Sequence, residues 1–240
     1  MGSGRVFLTA EWRDLALLNY EVDAGLLAPF IPRGTELDDW RGKIFLSLVG
    51  FRFLKTRVFG LPVPLNSNFD EVNLRFYVRR RENGEVRRGV AFIREIVPRR
   101  AIAFVARTLY NEQYVALPMA HDIHATEDGG VAAAYRWRSG GRWSELRFES
   151  QGQPEPLQDG SQEQFIAEHY WGYAAQPDGG CMEYQVAHPS WRVWQPRRAE
   201  FDGDVETLYG PEFAAVLRGK PASAFLAEGS EVAVMRGRRL

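Results

Sequence analysis

Apolar and polar residues alternate along much of the chain, and a period of two is typical of β-strands. The segment Glu71–Arg79 shows this most clearly, because every second residue from Val72 to Val78 is apolar. Asn83-Gly84 and Ser139-Gly140-Gly141 are turn signals that join neighbouring strands into hairpins. Strands are predicted over Ile44–Leu54 (with Gly50 as a candidate bulge), Glu71–Arg79, Val86–Val97, Tyr114–His124, Val131–Arg138, Arg142–Glu149, Met182–His188, Ala199–Tyr209 and Ala224–Met235.

Helical signals are fewer and shorter than strand signals. Asp23 offers an N-cap, and Ser161 with Gln164 three residues later forms a capping box. Helices are predicted over Val22–Leu27, Arg99–Asn111, Ser161–Tyr170 and Pro211–Arg218. The pattern as a whole predicts one domain over residues 1–240, built from a curved, mostly antiparallel sheet or barrel with three or four short helices.

Composition excludes several classes of protein. The chain has 240 residues, of which 45% are hydrophobic and 13% aromatic, so it can bury a sizeable core and is not disordered. The net charge of −1 gives no broad basic field, so nucleic acid is not an expected partner. We find no secretory signal and no apolar run of membrane-spanning length, so we expect a cytoplasmic protein that does not enter the membrane.

The strand Glu71–Arg79 carries the most informative polar residues. Glu71, Asn73 and Arg75 share one face, together with Tyr77 and Arg79. This face is either the solvent side of an antiparallel strand or the lining of a barrel interior, and alternation alone predicts both equally. In an interior, Arg75 could bind a carboxylate through two parallel hydrogen bonds.

The neighbouring strand repeats the ambiguity. Arg94 and Glu95 interrupt an apolar segment and point to opposite faces, so they cannot pair with each other. Each is interpreted either as half of a structural ion pair or as a charge held in a cavity. Arg94, Tyr114 and His188 therefore join Glu71, Asn73 and Arg75 as candidate ligand-binding residues.

Other chemical motifs are weak or missing. His121 and His124 would lie on opposite faces of a strand, so we expect no metal site. His169 lies near the end of the predicted helix Ser161–Tyr170, where a protonated ring could interact with the helix dipole. His188 precedes a proline and could hydrogen-bond at a strand end. The single cysteine, Cys181, has no cationic neighbour in sequence. No phosphate-binding loop and no nucleophile elbow are present, so no cofactor is expected.

Several segments, in this order, resemble the YqjF-like family of uncharacterised bacterial proteins. They are Trp12–Leu15, Leu26, Pro32–Asp38, Trp40–Gly42, Phe69–Val78, Ala101–Leu109 with Tyr114, Glu168–Tyr170 and His188–Trp191. The resemblance runs from Phe7 to about Trp194. The family pattern has Glu-Arg-Tyr where this chain has Glu168-His169-Tyr170, so the role of that arginine does not carry over.

This family is distantly similar to acetoacetate decarboxylase. The similarity implies a mostly β (α+β) fold, in which a curved antiparallel sheet closes into a cone-like barrel with a few short peripheral helices and a central cavity. It also favours the interior interpretation of Glu71, Asn73 and Arg75. The decarboxylase works through a Schiff-base lysine, but the corresponding stretch Leu109–Tyr114 has none. The chain's lysines are Lys43, Lys55 and Lys220, and none is predicted to be buried beside another amine.

Three hypotheses about function follow. The first is a protein whose barrel cavity binds a small organic acid, with Arg75 as the anion-binding residue and catalysis left open. The second is a lysine-free lyase or hydrolase of keto or hydroxy acids, which needs a general base in the same cavity. The third is a non-catalytic scaffold with a filled barrel. A homo-oligomer is compatible with all three.

Overall fold

The structure is a computed structural model that describes residues 5–64, 66–99 and 113–240. Its strands are β1 (Val6–Val22), β2 (Glu36–Leu37), β3 (Ile44–Val58), β4 (Leu61–Pro62), β5 (Phe69–Glu82), β6 (Glu85–Val97), β7 (Tyr114–Ala116), β8 (Met119–Ala125), β9 (Val131–Ser139), β10 (Arg142–Ser150), β11 (Glu155–Pro156), β12 (Trp171–Ala175), β13 (Cys181–Ala187), β14 (Arg192–Trp194), β15 (Pro196–Asp202), β16 (Ser223–Met235) and β17 (Arg238–Arg239). Its α-helices are α1 (Ala24–Leu27), α2 (Gln162–Ala167), α3 (Val205–Tyr209) and α4 (Ala214–Leu217), with 3-10 turns at Ala28–Phe30 and Pro211–Phe213.

Seven of the described strands form a closed ring of hydrogen-bonded neighbours. The order is β16, β1, β3, β5, β6, β12 and β13, and β13 then pairs back to β16 through Val186 and Val234. The β6–β12 pair is parallel and the other pairs are antiparallel. At that parallel junction, a Cβ added at Gly89 would lie 2.6 Å from the Trp171 carbonyl oxygen, so the close approach requires glycine.

A second sheet covers one outer side of the ring. It has the strand order β15-β10-β9-β8. Residues on the outer face of β5, such as Leu74 and Phe76, share a buried core with Tyr135, Trp137 and Phe148 of this sheet. Full burial of each such side chain contributes about 1.5–3 kcal/mol relative to exposure.

The opposite face of β5 points into the ring. Tyr77 lies in a second buried cluster with Phe45 of β3 and Phe165 of α2. The Tyr77 and Phe165 ring centroids are 5.5 Å apart, so α2 packs against this end of the ring. Ser161 caps α2 by accepting a hydrogen bond from the Gln164 backbone N–H, as the capping box predicts.

These observations confirm the predicted fold class. The described chain is mostly β-strand, its main sheet curves until it closes, and its helices are short and peripheral. The Asn83-Gly84 hairpin is present, with Glu82 paired to Glu85. None of the helices in the described ranges is long and apolar enough to cross a membrane.

Several local predictions are wrong. The strand predicted over Ala199–Tyr209 ends at Asp202, because the Asp204 side chain caps α3. Gly50 pairs in register with Ala16, and the nearby bulge lies on the partner strand β1, at Asp14 (φ 57°). Tyr114–His124 divides into β7, which pairs with β6, and β8 in the second sheet. Apart from Arg99, the helix predicted over Arg99–Asn111 lies outside the described residues.

Candidate functional site

The ring encloses a cavity of about 540 Å³, within the range of pockets that hold small organic ligands. Its lining is mostly apolar. At one end, which we call the mouth, it is lined by Leu61 and Val63 after β3, and the Leu61 side chain is exposed. At the other end, the inner end, it is lined by Ile166 and Ala167 of α2 and by His169.

The inward face of β5 supplies a row of polar side chains along this cavity. Phe69, Glu71, Asn73 and Arg75 all line it, in order from the mouth toward the inner end. At about 3.3 Å per residue, Phe69 and Arg75 lie roughly 20 Å apart along the strand. The interior interpretation of the alternation is therefore the one that the structure shows, since the apolar face packs against the second sheet.

Glu71 is a buried carboxyl group with two hydrogen-bond donors. Asn73 donates from Nδ2 to one carboxyl oxygen over 2.9 Å, and the Tyr114 hydroxyl donates to the other over 3.0 Å. Burial raises the pKa of Glu71 to about 7, although both hydrogen bonds and the charge of Arg75 favour ionisation. Glu71 can therefore be protonated or ionised near neutral pH.

Arg75 is a cation that forms no direct ion pair with any of the described residues. Its guanidinium lies over the Tyr77 ring, with its central carbon 5.8 Å from the ring centroid. Within the described ranges it forms no ion pair and no hydrogen bond, and its Nε atom is buried without a partner. The other arginines at this level of β5 and β6, such as Arg79 and Arg88, bind Asp38. Arg75 thus places a positive charge on a largely apolar cavity without a direct ion pair, and this charge acts on Glu71 in the same lining.

His169 lies at the inner end beside Arg75 and Tyr77. Its Nε2 donates to the buried Asp38 carboxylate over 3.1 Å, and this bond leaves Nδ1 as a buried acceptor without a partner among the described residues. Burial lowers the pKa of His169 to about 4, so its ring is neutral at pH 7. The expectation of a protonated His169 at a helix end is wrong, since α2 ends at Ala167 and the site is buried.

Aromatic rings form a continuous wall between the mouth and the inner end. The ring centroid of Trp12 lies 5.4 Å from that of Phe51 and 5.7 Å from that of Phe53. Phe53 stacks on Phe69 with their centroids 4.6 Å apart. Elsewhere in the wall, His188 stacks on Trp191 with their ring centroids 4.3 Å apart. We call this set the aromatic wall; it consists of Trp12, Phe51, Phe53, Phe69, His188 and Trp191.

His188 takes part in this wall as a neutral ring. Its Nδ1–H donates to the Pro189 carbonyl over 2.9 Å, which confirms the predicted hydrogen bond at the strand end. That bond leaves Nε2 as the acceptor of the neutral tautomer. Burial lowers the pKa of His188, so the uncharged form is favoured.

The structure brings five of the six predicted site residues to the cavity. Glu71, Asn73, Arg75, Tyr114 and His188 all line it. The sixth, Arg94, lies on the other face of β6, where its Nε donates to the Leu208 carbonyl over 3.1 Å. Its neighbour Glu95 does line the cavity, so the two charges point in opposite directions, as predicted.

The chain's lysines lie away from the cavity. Lys43 pairs with Glu21 and Lys55 pairs with Glu11, while Lys220 is exposed. The stretch that corresponds to the decarboxylase lysine segment lies outside the described residues up to position 112.

Two other expectations concern metals and thiols. His121 binds Asp70 and His124 binds Asp122, and no group of three metal-ligating side chains occurs in the part of the chain that the structure describes. Cys181 is buried, outside the lining of the cavity.

Trp12 and His169 are among the cavity residues that were not predicted from the sequence as site residues. Trp12 belongs to β1, a strand without clear alternation, so its inward direction could not be inferred. His169 reaches the site through Asp38, which lies 131 residues away in sequence. The only sequence signal for either residue is its place in the segments Trp12–Leu15 and Glu168–Tyr170.

A protein-family model named DUF2071 and described as an uncharacterized conserved protein matches residues 9–231. A protein of Bacillus subtilis, "Uncharacterized protein YqjF", is 30% identical over 125 residues, which are 52% of this chain. The aligned part spans only 48% of that relative's own length.

Solved structures show the same fold at low sequence identity. The acetoacetate decarboxylase of Legionella pneumophila superposes with a TM-score of 0.66 and 13% identity, covering 100% of this chain and 90% of the other. The enduracididine biosynthesis enzyme MppR in complex with pyruvate gives a TM-score of 0.65 and 11% identity, covering 100% and 91%. These similarities establish a fold like that of acetoacetate decarboxylase.

Proposed function

We propose that this chain, which belongs to the DUF2071 family of uncharacterised conserved proteins, binds an organic carboxylate in the ring cavity. One observation carries the proposal: Arg75 lines a cavity of about 540 Å³ and forms no ion pair with any of the described residues. An arginine in an apolar, enclosed site favours a planar anion that accepts two parallel hydrogen bonds.

The surrounding residues support a carboxylate of defined orientation. Asn73 and Tyr114 hold Glu71 in place, and protonated Glu71 would leave the positive charge of Arg75 free for the ligand. The neutral rings of His169 and His188 add no competing positive charge. The cavity also counts against the hypothesis of a scaffold whose ring is filled by side chains.

A second candidate function is acid–base catalysis on the same bound acid, without lysine. Glu71 favours it, because a carboxyl group with a pKa of about 7 can take up or release a proton at neutral pH. The candidate reaction class is a lyase or hydrolase acting on keto or hydroxy acids. Turnover separates the two candidates, since a binding protein gives thermal stabilisation and no product.

A thermal-shift screen with keto, hydroxy and acyl acids tests the proposal. A ligand at 100 times its dissociation constant stabilises the folded state by about 2.7 kcal/mol. We expect the shift to disappear in Arg75→Gln and to survive in Arg142→Gln, since Arg142 is an exposed arginine outside the cavity. An undiminished shift in folded Arg75→Gln would overturn the proposal.

A further inference from the structure

The dimensions of the cavity narrow the class of acid that it fits, and this inference rests on the proposed function. A volume of about 540 Å³ would hold roughly 18 waters at about 30 Å³ each. A keto acid of three or four carbons would fill only a fraction of that space. The remaining volume is lined largely by carbon, so a ligand that matches the whole cavity has a large apolar part.

The charged side chains of the cavity lie on β5 and its neighbour β6, whereas most of the aromatic wall comes from β1, β3 and the segment after β13. Arg75 lies toward the inner end, beside His169 and Tyr77. From there the aromatic wall leads to the mouth, where Leu61 and Val63 line the opening. The distance of roughly 20 Å along β5 from Arg75 to Phe69 is much longer than a short keto acid.

We propose that the ligand is an elongated amphipathic carboxylic acid. Its carboxylate binds Arg75 at the inner end, and its aliphatic or aromatic tail lies along the aromatic wall toward the mouth. Hydrophobic contact along Trp12, Phe53 and Trp191 supplies most of the affinity, and Arg75 supplies the preference for an acid over an uncharged compound.

The mouth itself fits a ligand with an apolar tail. Leu61 is 72% exposed and Phe59, two residues earlier in the chain, is 53% exposed. Phe59 packs edge-on against Phe7, which also lines the cavity. An apolar rim continuous with the aromatic wall lets a tail that lies along this wall end at the surface.

The test is a matched series of ligands measured by quenching of tryptophan fluorescence and by calorimetry. The series is butyrate, hexanoate, octanoate and decanoate, with decanol as the uncharged partner of decanoate. Each buried methylene should improve affinity about fourfold, so decanoate should bind on the order of 10²-fold tighter than hexanoate.

Variants test whether the carboxylate of the ligand binds at Arg75 and whether its tail lies at the mouth. Arg75→Gln should reduce decanoate affinity to that of decanol, and Arg75→Lys should restore part of the difference. Leu61→Lys at the mouth should weaken decanoate and leave butyrate unchanged. Val86→Lys is the matched control, because Val86 is also an exposed apolar residue but does not line the cavity.

The possible results separate this inference from the proposed function. If short and long acids bind equally well and both require Arg75, the amphipathic ligand is refuted and carboxylate binding stands. If decanoate and decanol bind alike and folded Arg75→Gln changes neither, carboxylate anchoring by Arg75 is refuted. Absence of binding by every acid of the series refutes the amphipathic ligand, and carboxylate binding then stands or falls with the thermal-shift screen.

Discussion

Glu71→Gln is expected to change how the free energy of unfolding depends on pH, because glutamine remains neutral at every pH. Burial raises the pKa of Glu71 in the folded protein to about 7, against a reference of 4.5. A difference of about 2.5 units corresponds to about 3 kcal/mol at about 1.36 kcal/mol per unit.

The direction in which stability changes with pH follows from the direction of the pKa shift of Glu71. Because the folded pKa is raised, the contribution of Glu71 to stability is fully present below pH 4.5 and is lost as pH rises through 7. Relative to wild type, the free energy of unfolding of Glu71→Gln should therefore rise by about 3 kcal/mol from pH 4.5 to above pH 7.

The wild-type profile alone would conceal this effect. The pKa of His169 is lowered from 6.5 to about 4, so its contribution to stability is present above pH 6.5 and is lost as pH falls toward 4. The two groups act in opposite directions over overlapping pH ranges. Only the difference between variant and wild type isolates Glu71.

The assay is urea denaturation at half-unit intervals from pH 4.5 to 8, extrapolated to water. Glu127→Gln is the matched control, because Glu127 is exposed and forms no ion pair within the described ranges. A difference between Glu71→Gln and wild type that is flat with pH, or that slopes downward, would refute the argument that Glu71 is buried as a carboxyl group of raised pKa.

Three further variants probe the framework of the site. Tyr77→Phe removes a buried 2.7 Å hydrogen bond to the Ser47 hydroxyl and should cost about 1–2 kcal/mol in urea denaturation, so an unchanged midpoint would contradict the bond. Gly50→Ala places a Cβ 2.7 Å from the Tyr135 ring and should cost about 1–3 kcal/mol, seen as a lower Tm; a Tm at or above wild type would show that the two sheets are not packed this closely. Glu183→Gln weakens a fully buried carboxylate that binds three arginines and should cost about 3–5 kcal/mol, whereas a loss below 1 kcal/mol would indicate that the cluster is hydrated.

Much of the strand content could be predicted from local pattern, and the exceptions share a physical cause. Glu71–Arg79 and the Asn83-Gly84 hairpin were predicted correctly because their residues alternate or occupy a tight turn. In β1, the residues from Leu15 to Tyr20 are all buried, so there is no alternation to indicate a strand. The strand predicted over Ala199–Tyr209 runs through α3, because the Asp204 cap that begins this helix is a signal of a single residue.

The candidate site likewise combines features that the local pattern predicts with features that it does not. Period two alone places Glu71, Asn73 and Arg75 on one face of a strand. Whether that face meets water or a cavity depends on ring closure, in which β13 reaches β16 at Val186 and Val234.

Tertiary structure also decided the charges. Asp38 and His169 are distant in sequence, and only folding brings them within hydrogen-bond distance and keeps the histidine neutral. The raised pKa of Glu71 likewise depends on burial by several strands. Which side chains share a face follows from local sequence alone, because it is a local property of the backbone. The cavity and the electrostatics of the site arise from long-range strand pairing and from the exclusion of water, which no local segment encodes.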